Sequence, residues 1–283
     1  MRPIGPIVRN PLPKADPTSV RTPPPPPSFL ARPDGTRLAY RATPGRGPSV
    51  VFLGGFTSDM GGTKAVALEA HCRRRGQGYV RFDYFGHGLS GGRFVDATVG
   101  RWIDDVLAVL DEVVKGPAVL VGSSLGGWLM VRAALARPER VVGLVGIASA
   151  ADFPSELIEP SLSEKARRRL REDGFVLVPN LYGQEPTPVT AAFLEEARGH
   201  RVLGTPIPLR CPVRLLHGLA DREVPWRLSL RLAEAVEGDD VILTLVKGAD
   251  HRLSTPEDLA RLYAAVDEVC GFGTPRPRAG GMG

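Results

Sequence analysis

The chain has 283 residues, 43% apolar and 24% charged, with a formal net charge of +5. That length holds one large domain with a sizeable core, in the balance of a soluble globular protein, and no apolar run approaches the roughly 20 residues that span a bilayer. The excess of base is read as a solvated surface and not as a nucleic-acid footprint, because its densest cluster, KARRRLR from Lys165 to Arg171, is flanked by Glu164 and Glu172.

In chain order, residues 1–30 are dominated by proline and end near the PPPPP run at Pro23 to Pro27. Such a stretch is stiff and extended and cannot enter a helix or sheet interior, so a disordered arm is expected there. A domain over 31–272 follows, and 273–283 reads as a loose tail. Within the domain, strands are expected at Ser49–Leu53, Tyr79–Asp83, Ala118–Val121, Val141–Ile147, Val213–Leu216 and Val241–Val246. Between them, Thr63–Arg75, Val99–Val114, Ser124–Ala136 and Pro225–Val236 carry apolar residues at helical spacing. A last helix is expected to start at Thr255, a capping hydroxyl, with Pro256 in its first position. Alternating strands and helices predict an α/β fold with a mostly parallel central sheet and right-handed crossovers. The interval 152–208 breaks the rhythm with helical pieces and a short FVLV run at Phe175, and reads as an inserted lid. Its apolar residues Leu157, Ile158, Leu162, Phe175, Leu177, Leu181 and Phe193 fit an acyl pocket and ordinary core equally well.

The stretch VGSSLGGW, from Val121 to Trp128, contains G-x-S-x-G with Ser124 at its centre. In a chain of 33 glycines the pentapeptide alone is weak evidence. Its setting between a strand and a helix is not, because that turn strains the central residue and lifts its side chain above the sheet. It also puts the Leu125 amide at a helix N-terminus, where it can donate to an oxyanion.

A serine nucleophile needs a base. Of the five histidines, His71 and His217 read as structural and His200 as an exposed lid residue. His251 lies in the loop after the last strand, at the end of the sheet where loops carry chemistry. Asp221, after the preceding strand, completes the chain order serine, acid, histidine; Glu223 and Asp152 are the competing acids. For the second oxyanion donor the Phe56 amide in LGGFT is chosen, against a plain glycine turn.

Together these residues resemble the α/β-hydrolase superfamily over nearly all of Ser49 to Cys270. DYFGHGLS at Asp83 to Ser90 resembles that family's D-x-x-G-x-G-x-S turn, a structural feature that accounts for His87 without chemistry. Longer strings, including VGSSLGGWLM and CPVRLLHG with VPW at Trp226, resemble the palmitoyl-protein thioesterase and acyl-glucuronide esterase group within it. The resemblance implies an α/β-hydrolase fold with helices on both faces of the sheet, and places nucleophile, acid and base on Ser124, Asp221 and His251. It implies hydrolysis of acyl thioesters or esters, acylated protein among the candidate substrates, with no metal or organic cofactor. The alternatives are a carboxylesterase or monoacylglycerol lipase, and a non-catalytic binding module on the same fold. The odd cysteine count, Cys72, Cys211 and Cys270, points to a reducing compartment, and no secretory pattern opens the chain. The cytoplasm is therefore expected, or an organelle if the arginine-bearing arm acts as a presequence.

Overall fold

The computed structural model describes residues 26–179 and 185–272. The tail at 273–283, most of the proline-rich arm and Leu181 lie outside them. Among these residues, ten strands and eight α-helices follow one another: β1 (Ser28–Ala31), β2 (Arg37–Thr43), β3 (Arg46–Leu53), α1 (Thr63–Arg74), β4 (Gln77–Phe82), α2 (Val99–Ala108), β5 (Ala118–Ser123), α3 (Leu125–Ala136) and β6 (Val141–Ile147). The segment between β6 and β9, expected to form a lid, carries α4 (Glu159–Ser161), α5 (Glu164–Glu172), β7 (Phe175–Val178), β8 (Thr187–Thr190) and α6 (Ala191–Ala197). The chain then closes with β9 (Val213–Gly218), α7 (Arg227–Ala235), β10 (Val241–Val246) and α8 (Pro256–Val269).

Eight strands form one sheet in the order β1-β2-β4-β3-β5-β6-β9-β10. From β4 to β10 every pairing is parallel, and β2 joins β4 and β1 antiparallel at one edge. Both faces of the central strands are covered, which is why they read as unbroken apolar runs. Val51, Leu53, Ala118 and Leu120 pack into the core beneath α2, α3 and α7, while Val50, Phe52, Val119 and Val121 face α1 and α8.

The six predicted strands are all present, and α8 begins at the expected cap, with Thr255 and Asp258 exchanging hydrogen bonds as a capping box. The helix expected to run to Val114 leaves α-geometry after Ala108 and finishes as one wide π-turn over Val109–Val113. Two strands of the main sheet were not foreseen, nor was β8, the partner of the FVLV run in the lid. β2 mixes Arg37, Arg41 and Thr43 with its apolar residues because it lies near the sheet edge, and β1 falls inside the stretch assigned to the arm. The ordered domain therefore begins at Ser28 or before, not at residue 31.

The lid is tied down by carboxylates. Asp152, fully buried at its start, accepts the amides of Val202 (2.9 Å) and Leu203 (2.8 Å) at its end. Glu196 of α6 accepts the first amides of α2, those of Val99 and Gly100, both at 3.0 Å. His200 is half-buried and not simply exposed: its Nε2 lies 2.6 Å from Glu196, and its carbonyl accepts the Trp128 indole.

Candidate active site

Ser124 joins β5 to α3 with φ 54° and ψ −115°, a left-handed backbone rare for a residue with a side chain. The strain persists because the surroundings over-determine it. Its amide donates to the Ile147 carbonyl of β6 at 2.9 Å, and its own carbonyl accepts the amides of Gly127 and Ala150. The flanking glycines are dictated by close approach. A Cβ on Gly122 would collide with the Gly126 and Gly127 backbone, and one on Gly126 with the Leu53 carbonyl at the end of β3. Both obstacles are backbone and cannot swing away. Gly126→Ala is expected to destabilise the fold by about 3 kcal/mol or more, the upper end for overpacking, read as a drop in urea midpoint at unchanged slope.

Asp221 lies beyond β9 with all its acceptor positions used. Oδ1 takes the amides of Glu223 and Val224, both at 2.9 Å. Oδ2 takes His251 Nδ1 at 2.7 Å and His217 Nε2 at 3.1 Å. Burial alone would raise this carboxyl, but the hydrogen bonds from His217 and His251 outweigh it and hold the group well below the usual carboxylate range. His217 is fully buried; its Nε2 faces two groups that only accept, the Asp221 carboxylate and the Val224 carbonyl, and so donates, while its Nδ1 pairs with Ser229 Oγ at 2.7 Å. Sequence reading took it as merely structural. Its position four residues before an acid, at the end of a strand, was the available sign that it steadies Asp221.

The competing acids fall elsewhere. Asp152 is spent on the lid, and Glu223 lies on the other side of the imidazole, 3.7 Å from Nε2. Burial raises the Glu223 carboxyl. His71 is structural as expected, 2.7 Å from Asp267 and stacked on Tyr263, with burial pulling it down to about 4.

Ser124, Leu125, Phe56, Glu223 and His251 all line one cavity of about 740 Å³. The Leu125 amide is the first of α3 and has no acceptor within its helix. The Gly54–Thr57 loop passes close by, since a Cβ on Gly55 would stand 3.6 Å from Ser124 Cβ. The Phe56 ring is wedged among Phe94, Trp102, Phe153 and Phe193, with centroids 5.1 to 5.8 Å away. The lining combines apolar residues, Phe153, Leu157, Ile158 and Val178, with polar ones, Thr57, Ser58, Lys64, Arg222 and Arg252. Lys64, whose ammonium burial lowers to about 8, donates to the Arg252 carbonyl beside His251. Of the lid residues weighed for an acyl pocket, Leu157 and Ile158 line the cavity. Leu162 and Phe193 are core, and Phe175 and Leu177 point to solvent.

A parallel sheet crossed by a strained serine turn, with an aspartate and a histidine on the loops after its last two strands, is the architecture of one enzyme class. Residues 50–262 match the model of the alpha/beta hydrolase family, and the chain is a hydrolase belonging to that family. The mitochondrial palmitoyl-protein thioesterase ABHD10 of Rattus norvegicus is 43% identical over 243 residues, 86% of this chain and 82% of the relative. Alpha/beta hydrolase domain-containing protein 10 from mouse superposes with a TM-score of 0.80 at 42% identity, over 87% of this chain and 98% of that one. A putative hydrolase from Agrobacterium vitis S4 gives 0.82 at 40% identity, over 87% and 99%.

Proposed function

We propose that this hydrolase cleaves acyl thioesters, with Ser124 as nucleophile, His251 as base and Asp221 as the acid that orients it. The observation that carries the reading is the 2.7 Å contact from His251 Nδ1 to Asp221, with His251 and Ser124 lining the same cavity. Asp221 holds the proton on Nδ1 and leaves Nε2 basic. Ser124 Oγ attacks the acyl carbon while His251 Nε2 takes its proton. The carbonyl pair moves onto oxygen, where the amides of Phe56 and Leu125 receive it. Collapse expels the thiolate, protonated by His251, and water repeats the sequence to release the acid. The apolar lining residues suit the acyl chain and the polar ones the leaving group.

Preference for sulfur is supported by the thioesterase names of the relatives and by chemistry, since a thiolate leaves more readily than an alkoxide. Those names also say mitochondrial, which favours the organellar alternative over the cytoplasm. The test is a panel of matched acyl thioesters and oxygen esters from acetyl to palmitoyl. Higher kcat/KM on the thioester at each chain length is expected. Higher values on the oxygen esters would make the protein a carboxylesterase, and silence towards both and towards a fluorophosphonate probe would make it a binding module.

A further inference from the structure

The turn from Asp83 to Ser90 does more than end β4: its side chains grip the loop that carries Phe56. The Tyr84 hydroxyl donates to the Gly54 carbonyl at 3.3 Å, and Asp83 Oδ1 accepts the Met60 amide at 2.6 Å. Between these two anchors, His87 Nε2 meets the Phe56 carbonyl at 2.7 Å. A carbonyl only accepts, so His87 is the donor in that bond. Its ring is buried, edge-on to Tyr84, Phe94 and Trp102, and its Nδ1 faces the Phe85 carbonyl at 3.1 Å. The imidazole is thus clamped in an aromatic box, and its strongest contact falls on the backbone of one residue in the reacting cavity.

We propose that His87 is a positioning residue for the oxyanion hole. Its bond to the Phe56 carbonyl fixes the peptide that follows Phe56, while the four surrounding rings fix the side chain. With both held, rotation about the Phe56 backbone is blocked and its amide stays aimed where oxyanion charge develops. A donor that must be in place before the reaction is worth most when it has no freedom to turn away. Losing that restraint weakens the transition state more than the bound substrate, because a ground-state carbonyl asks less of the amide. The inference rests on Phe56 being the second oxyanion donor in the proposed reaction.

The test compares His87→Phe, which keeps a ring in the box but donates nothing, with His87→Gln, whose side-chain amide restores a donor. Each is assayed for kcat and KM on an acyl thioester, for thermal midpoint, and for inhibition by an acyl trifluoromethyl ketone and by the product acid. The ketone carbon bonds to Ser124 Oγ, the serine proton passes to His251, and the resulting oxyanion needs the hole; the acid needs only the cavity. His87→Phe is expected to lower kcat about 10- to 100-fold, less than the ~10²–10³ for deleting a donor outright. KM and the acid should be nearly unaffected, the ketone should weaken by the same factor as kcat, and His87→Gln should recover most of the loss. Unchanged kcat in His87→Phe, equal weakening of ketone and acid, or a His87→Gln no better than His87→Phe would overturn the proposal. Failure of the underlying reading shows separately, as a wild-type rate that survives Ser124→Ala.

Discussion

Replacing Ser124 with alanine is expected to cut kcat on the order of 10⁶-fold and to abolish labelling by a fluorophosphonate. What survives is the modest acceleration that binding and the oxyanion donors provide. The fold should not suffer, since Ser124 is held through its backbone: its amide on Ile147, its carbonyl on Gly127 and Ala150. A companion variant separates chemistry from stability. At φ 54° a Cβ is strained and glycine is not, so Ser124→Gly should be equally inactive yet more stable by about 1 kcal/mol. Calorimetry beside the labelling assay reads both. A labelled Ser124→Ala, or a Ser124→Gly that melts earlier than wild type, would contradict the account.

Asp221→Asn should cost about 10⁴-fold in kcat with little change in structure. Oδ2 accepts hydrogen bonds from two imidazoles and Oδ1 from two amides, so the site is built wholly for an acceptor. An asparagine must turn its NH2 towards one of those pairs. Facing His251 Nδ1, it would favour the tautomer with the proton on Nε2, where a base is wanted. The pH dependence follows from the same bonds. The folded-state carboxyl lies below its unfolded value, so its contribution to stability is fully present above the ordinary aspartate range and is lost progressively as the pH falls from there through the lower folded-state value. Asp221 therefore stays ionised while exposed carboxylates titrate. Acid unfolding of Asp221→Asn should begin at lower pH relative to its own neutral stability, and circular dichroism across an acid titration checks it.

The elements that came straight out of the sequence share one property: their own side chains encode their surroundings. β5 is buried along its whole length and apolar from Ala118 to Val121 because helices cover both its faces, and α8 announces itself through Thr255, Pro256 and Asp258. β1 and β2 were missed because an edge strand needs partners more than composition. The former also follows a proline run, and nothing local says that Ser28 will pair with Tyr40.

The site divides in the same way. Ser124 was legible because its demands are local: glycines at 122 and 126, a strand before and a helix after. Asp221 and His251 were legible as loop positions after β9 and β10. Chain order favoured Asp221 as the acid, while Glu223 and Asp152 stayed in competition because the three are alike in type and differ only in what surrounds them. Tertiary structure alone put Asp152 on the lid amides, Glu223 beside Nε2 and Asp221 against Nδ1. It alone brought His87 and His217, read as bystanders, to the Phe56 carbonyl and the Asp221 carboxylate. The sequence by itself determined the fold class and the strained turn at Ser124, since these follow from periodicity and backbone sterics within a few residues. Only the tertiary structure decided the partners of each polar group, since a hydrogen bond depends on where distant loops meet at 3 Å, which no local pattern records.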